Sequence, residues 1–456
     1  MATPYVTEPR KRVPVLREVD VAVVGAGGAG ICAAVAAARE GMKTLLLERT
    51  GLLAMSIGPG GVSGIFNSFR APIEDESRAH RQKSFKRLFA GPPWDYVIHV
   101  MKLGGMRERT EADLLRCYRI QCDPEILNYG AITFCEKNGV DVLVHAPVVA
   151  PILERDRVTG VFIETQSGRR AVLARQVVDC SGDAHVAWMA GAPVVLGRTI
   201  GGQTASLLPV LSNYPGEVQD VPFRAGQDGA NGPDPEVFRT FAEKHGFCVR
   251  RRIDGRGTLR YELSGHGVLI SGLDFGDAED FSLAEIEARK YMHEVFRFWK
   301  KYVPGFRKAH LRQVAPQILP RGGRLIVGQY FLDNENLDAD LHHPDTIYLH
   351  RAVRFKPPKL CAEIPYRVLL PMDVENLLVA GRCASGASSA RGTGSCMAMG
   401  AAAGVAASVA VRTHRTVRTI DTGRLQERLR AQDILFDKPR IRRVKPKRTL
   451  ECKYKF

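Results

Sequence analysis

The chain has 456 residues, 45% of them hydrophobic, which is enough for two domains or one large interrupted domain with an ordinary buried core. Its net charge of +16 is gathered largely in Arg10-Lys11-Arg12 and in a C-terminal run from Lys438 to Lys455, where aromatics are not interleaved in a way that suggests base stacking, so nucleic acid is not an expected partner. Ten cysteines are scattered without a C-x-x-C, which gives no local zinc or iron–sulfur motif, and the longest apolar run, Met397 to Val411, is too short and too rich in Ala and Gly to predict a membrane span. With a polar N-terminus unlike a signal peptide, these features predict a cytoplasmic protein with reduced thiols.

Residues 1–17 read as a lead-in. Asp20 to Val24 reads as a short apolar strand that runs into the G-x-G-x-x-G turn Gly25-Ala26-Gly27-Gly28-Ala29-Gly30. Ile31 to Arg39 continues as a helix, Gly41 marks a turn, and Lys43 to Leu47 forms a second strand ending on Glu48-Arg49. Each part has a chemical use. Gly25 permits the tight turn, Gly27 lets backbone approach a pyrophosphate, and Gly30 allows close helix–strand packing. The helix N-terminus offers free N–H groups and the positive end of its dipole. Glu48, 18 residues past Gly30, is placed to accept both hydroxyls of an adenosine ribose. The unit as a whole predicts a dinucleotide site.

A Gly-rich loop follows, containing Ser56, Gly60 and Gly61, and residues 70–120 carry charged helical patterns that include Glu111 to Tyr118. From about 140 to 175 the texture becomes a meander of short strands: Val140 to Val144, Ala146 to Leu153, Gly160 to Thr165, and, after a Ser167-Gly168 turn, Arg170 to Leu173. It feeds a buried strand, Gln176 to Asp179, ending on Cys180-Ser181-Gly182-Asp183. Polar, Gly/Pro-containing stretches near 212–235 and 333–346 suggest an inserted unit. Asn376 to Arg382 reads as a strand and turn, and Ser395 to Val411 as a helix of small residues. The expected architecture is α/β: a Rossmann-like dinucleotide-binding domain with a β-meander over 1–200, an inserted α+β substrate domain over 201–360, a return to the first domain over 361–415, and a basic tail over 416–456.

Taken together, Val19 to Glu48, Ser56 to Gly61, the meander leading to Val178-Asp179-Cys180-Ser181-Gly182-Asp183, and Ile364-Pro365-Tyr366-Arg367 through Gly381-Arg382 to Gly404 resemble the FAD-dependent oxidoreductases with a glutathione-reductase type of FAD domain. The resemblance is to the branch of the heterodisulfide reductase flavoprotein subunit, and more distantly to succinate dehydrogenase and fumarate reductase flavoproteins. It implies that Gly25, Gly27, Gly28 and Gly30 hold the FAD pyrophosphate. Glu48, flanked by Arg49, would hold the ribose, and the backbone of Val148-Val149 would meet the adenine. Ser56, Gly60 and Gly61 would lie near the flavin ring. Gly182-Asp183 would close a second FAD contact. Gly381-Arg382 would lie beside the ribityl and phosphate groups, with Arg382 standing where related flavoproteins often have Asp and able to neutralise a phosphate. Ser395 and Cys396 would open a helix whose N-terminus faces the pyrimidine edge of the flavin and stabilises negative charge there. Cys396 itself reads either as a packing residue or as a thiol near the ring.

A single G-x-G-x-x-G and the lack of a redox C-x-x-C argue against a pyridine-nucleotide disulfide reductase, and the scattered cysteines against an iron–sulfur cluster. For catalysis, His310, His342, His343 and His350 are candidate bases. Arg321-Gly322-Gly323-Arg324 resembles an Arg-x-Ser-Arg segment of this branch. Arg321 and Arg324 would bind an anionic substrate or reduced flavin, or else tie the inserted domain down. Arg391, in the position of a family Ser-x-Arg arginine, would lie close to the ring and is the leading active-site candidate. The resemblance therefore implies an oxidoreductase that moves a hydride between a small, anionic organic substrate and FAD. A flavin monooxygenase and an electron-transfer subunit active only with a partner are the alternatives. The partners implied are a small-molecule substrate and an unspecified electron acceptor, with oligomer formation left open and no metal expected.

Overall fold

A computed structural model of the chain describes residues 6–55, 57, 64–66, 69, 87–117, 119–196, 204–213, 240, 244, 249–251, 258–264, 267–302, 306–333, 336–337, 341–350, 361–386 and 392–437. Strand β1 (Val15–Val24) enters α1 (Gly28–Arg39), and β2 (Thr44–Leu47) follows. The last four residues of β1 and all of β2 are buried. Such continuous apolar strands belong inside a parallel sheet covered on both faces. A short strand β3 (Gly64–Phe66), helices α2 (Gly91–Lys102) and α3 (Glu111–Arg116), strand β4 (Arg119–Gln121) and α4 (Pro124–Lys137) lead to β5 (Asp141–Leu143).

Strands β6 (Val148–Glu154), β7 (Arg157–Thr165) and β8 (Gly168–Asp179) form the antiparallel meander. The strand at 141–143, expected to begin that meander, instead pairs parallel with β2, Leu45 opposite Asp141 and Leu47 opposite Leu143. The helix α4 before it makes a crossover connection, and a crossover returns the chain in the parallel sense. β8 is long enough to serve two neighbours. Its first half pairs with β7, and its last three residues pair with the late strand β20 (Leu377–Val379). The parallel part of the sheet thus runs β5-β2-β1-β8-β20.

After α5 (His185–Met189) and β9 (Val194–Leu196) the chain builds a second unit. Strands β10 (Thr204–Leu207), β11 (Pro209–Ser212), β12 (Val249–Arg251), β13 (Thr258–Ser264) and β14 (Gly267–Ser271) precede the long helix α6 (Ala278–Tyr302), and β15 (His310–Val314) and β16 (Leu319–Pro320) follow it. The five-stranded sheet β12-β13-β14-β10-β16 and α6 enclose a separate core that includes Ile270, Met292, Phe298, Trp299 and Phe306. β17 (Arg324–Ile326) then pairs with β9, returning the chain to the first unit.

The hairpin of β18 (Thr346–His350) and β19 (Ala362–Pro365) straddles the boundary expected at 360/361, and Ile347, Tyr348 and Leu349 lie in the same core as α1. Helix α7 (Thr393–Thr413) packs on α1 along its length. Residues 416–437, expected to belong to a basic tail, are folded. An amphipathic helix, α8 (Thr422–Ala431), buries Leu425 and Leu429, and Ile434 and Leu435 join the core. Its Arg428 donates to the buried Glu40 carboxylate at 2.9 Å, and Gln432 does so at 2.6 Å, which fastens this segment to the C-terminal end of α1. α7 is long and apolar enough to cross a membrane by composition, but 94% of its most apolar window is buried inside the structure, so it serves as a core helix.

The α1–α7 contact is one of backbone on backbone. A Cβ on Gly400 would overlap the carbonyl oxygen of Ala29, and one on Gly404 that of Ala33. Gly404→Ala is therefore expected to destabilise the protein by about 3 kcal/mol, the upper part of the range for overpacking, because backbone and not a side-chain tip must move. A chemical denaturation midpoint equal to that of the parent would refute this contact.

Candidate cofactor site

The registers of the parallel strands align Val24 with Leu47 and Asp179, and Asp179 with Val379. The residues that follow these strands therefore line one edge: Gly25 to Gly30, Glu48, Gly182-Asp183 and Gly381-Arg382. Ligands of open α/β sheets bind at this carboxyl edge. The first turn needs its glycines. Gly25 has φ +96°, and a Cβ there would sit 2.7 Å from Cys180 O. A Cβ on Gly30 would overlap Gly25 O, so any other residue would push α1 off the turn. Gly27 is the N-cap of α1 and, like Gly28 after it, offers no side chain. The first turn holds no acid and receives no side-chain cap, so its N–H groups face the edge.

Glu48 is buried. Its Oε2 accepts from Ala26 N at 2.9 Å, and its Oε1 from Thr50 N at 2.9 Å and Thr50 Oγ1 at 3.0 Å. These bonds fix the carboxylate, and Oε2 retains capacity for a further donor. Glu48 O accepts from Ala146 N at 2.9 Å, which holds the start of β6 against the acid. The β6–β7 register slips between Val148 and Ala150, so Val149 is the bulged residue whose backbone leaves the ladder. Arg49 is exposed and, among the described residues, donates to Gln317 Oε1 at 3.5 Å.

Asp179, the last residue of β8, organises the next turn. Its Oδ1 accepts from Ser181 N at 3.0 Å, and its Oδ2 from Val186 N at 2.8 Å and Ala187 N at 3.1 Å. This role was not assigned from sequence; an acid closing a buried apolar strand just before small residues is the signal that would have found it. Gly182 has φ +84°, and Asp183 pairs with Arg382 at 3.0 Å. The Arg382 guanidinium, expected beside a phosphate, also donates to Gly182 O at 2.8 Å and to Pro320 O, so protein groups engage each of its three nitrogens.

The N-terminus of α7 meets the same edge. A Cβ on Gly381 would lie 2.9 Å from Ala29 Cβ and 4.0 Å from Cys396 Cβ, and Met397 lies over Gly28. Ser395 is fully buried, and its Oγ is 2.8 Å from Nδ1 of His350. Burial alone pushes the His350 pKa down to about 4, so its imidazole is neutral near pH 7. The other candidate histidines lie elsewhere: His310 is exposed on β15, exposed His342 meets Glu363 at 2.9 Å, and His343 packs edge-on to Tyr330. Arg324 donates to Gly276 O at 2.6 Å and stacks 4.1 Å over the Trp188 ring, which makes it a tie between the two units. Arg321 stands half-buried three residues before it. Ser56, Gly60, Gly61 and Arg391 lie outside the described residues. Burial raises the thiol pKa values of Cys32, Cys180 and Cys383, which behave as small core groups.

This fold and edge define a Rossmann-like dinucleotide-binding protein with two helix N-termini at one site. Residues 20–429 match the family model of the FAD dependent oxidoreductases, and the chain belongs to that family. It is an oxidoreductase whose cofactor is FAD. No curated protein matches the chain. Similar solved structures include a geranylgeranyl bacteriochlorophyll reductase-like protein from Thermoplasma acidophilum, 16% identical over 91% of this chain and 83% of that one, with a TM-score of 0.42. A flavoprotein/dehydrogenase from Cytophaga hutchinsonii is 13% identical over 90% and 81%, with a TM-score of 0.39. p-Nitrophenol 4-monooxygenase from Pseudomonas putida is 11% identical over 92% and 85%, with a TM-score of 0.40. Likenesses at this level do not select a reaction.

The residues present fit the cofactor: an uncapped, acid-free first turn stands beside a fixed buried carboxylate and a bulged backbone. The His350 site also makes a pH prediction. Its folded pKa of about 4 lies below the ordinary 6.5, so the unfolded chain binds more protons between those values and stability falls as pH drops through that window. The contribution is on the order of 3 kcal/mol, fully present above pH 6.5. Denaturation from pH 7 to pH 4 should show wild type losing that much stability relative to His350→Gln; parallel curves would refute a buried neutral imidazole.

Proposed function

We propose that the protein is an FAD-dependent dehydrogenase or reductase that moves a hydride between the flavin and a small anionic organic substrate. The observation that carries the reading is the gathering of Gly25 to Gly30, Glu48, Val149, Gly182-Asp183 and the α7 N-terminus along one edge of the sheet. On this reading the N–H groups of Gly28 to Gly30 bind the pyrophosphate, Glu48 accepts from the ribose hydroxyls, and the Val149 backbone meets the adenine. The helix end at Gly392 to Ser395, without an acid or a side-chain cap, stabilises negative charge on the reduced ring. FAD supplies the two-electron chemistry. Arg321 and Arg391 are assigned to the anionic part of the substrate. His350, buried and neutral, supports Ser395 and does not serve as the base.

The purified protein should show the two visible bands of oxidised flavin and release FAD on acid precipitation. Glu48→Gln should weaken FAD binding about 10- to 100-fold, as expected for losing hydrogen bonds to a charged acceptor, with the fold retained by circular dichroism. Anaerobic screening of small carboxylates should then bleach the flavin without oxygen. A requirement for oxygen and an external reductant, with a hydroxylated product, would replace this reading with a monooxygenase.

A further inference from the structure

Arg382 stands where three separate segments meet. It follows β20, its Nε donates to Gly182 O at 2.8 Å, its Nη2 pairs with Asp183 at 3.0 Å, and its Nη1 donates to Pro320 O. Gly182 and Asp183 lie in the turn after β8, whereas Pro320 ends β16 in the sheet of the second unit. Beyond Pro320, residues 321–323 cross back to the first unit, where β17 pairs with β9. Ile326 N then donates to Cys383 O at 3.1 Å and Val327 N to Pro193 O at 2.8 Å. The crossing is thus bounded on one side by Arg382 and on the other by hydrogen bonds to Cys383, the residue next to it, and to Pro193.

The far side of Asp183 is closed by the same crossing. A Cβ on Gly323 would overlap Asp183 Oδ1, an oxygen that is buried and has no hydrogen-bond partner among the described residues. The carboxylate is therefore clamped between the guanidinium and the bare backbone of Gly323. A planar guanidinium with five donors in a rigid fork suits three acceptors from three directions, and an ammonium does not reproduce that geometry. Removing one member of such a pair leaves the other uncompensated in a partly dry site.

We propose that Arg382 is a positioning residue and not a phosphate ligand: it locks the crossing at 320–324 onto the end of the parallel sheet, and so sets where Arg321 stands beside the site. The lock is made of protein groups alone, so it holds with or without FAD. The test is hydrogen exchange of the full-length protein, with and without added FAD, read at the amides of Ile326 and Val327. In Arg382→Met these amides should exchange at least about tenfold faster in both conditions, while β1 and β8 remain protected. Arg382→Lys should restore only part of the protection. Gly323→Ala should loosen the same amides without touching the guanidinium, and it decides the question if Arg382→Met does not fold. FAD affinity should fall less than about tenfold in each variant. Wild-type protection of these amides in Arg382→Met or Gly323→Ala would overturn the proposal. So would an effect confined to the FAD-bound protein with affinity reduced about 100-fold or more, which would return the guanidinium to the phosphate.

Discussion

The structure depends on the direct contact between the backbones of α1 and α7. Glycines at 400 and 404 let α7 lie on the carbonyls of Ala29 and Ala33, closer than any side chain permits. The contacts rise in step, Gly28 with Met397, Ala29 with Gly400 and Ala33 with Gly404, so the helices run parallel. Two parallel dipoles at this distance repel each other along their length. They also place two positive ends at one edge of the sheet, where an anionic cofactor offsets that repulsion. At the other ends the cations collect. Arg175 donates to Val411 O at 3.0 Å, Arg412 donates to Glu40 O, and Arg428 reaches the Glu40 side chain. The unfavourable pairing is thus answered at both ends, by ligand at one and by arginine at the other.

Among the described residues, the ties that join the second unit to this frame are directional. The Arg324 guanidinium sits 4.1 Å over the Trp188 ring and donates to Gly276 O, where the chain returns to the first unit in the three-pair β9–β17 ladder. The core of the second unit is separate from the core around α1.

Much of the frame was legible in the chain. The glycine spacing, the run of buried strand residues and Glu48 are local signals, because each answers to a neighbour within one βαβ unit. The meander was legible for the same reason: its strands are consecutive and joined by tight turns. What was not legible depends on distant partners. The strand at 141–143 has the same alternation whichever sheet it joins, and only the crossover through α4 decides its direction. The carbonyl and carboxylate partners of Arg382, at 182, 183 and 320, gave no local signal because they are far away in sequence. His350 and Ser395 were each visible as polar residues, but their bond joins a strand to a helix 45 positions later. The segment after 416 read as a charged tail because its apolar positions, Leu425 and Leu429, are few among many arginines.

The double duty of β8 has a consequence for how the protein is made. Its last residues find their outer neighbour only in β20, and α1 finds its cover only in α7, about 350 residues downstream. At roughly 5–20 residues per second, ribosomal synthesis leaves the Gly/Ala face of α1 uncovered for roughly 20–70 s. The residues that meet there are among the most separated in the chain, a topology that folds slowly. Small residues suit that interval as well as the finished packing, since a stripe of Ala and Gly exposes far less sticky surface to other nascent chains than a stripe of Leu or Phe would.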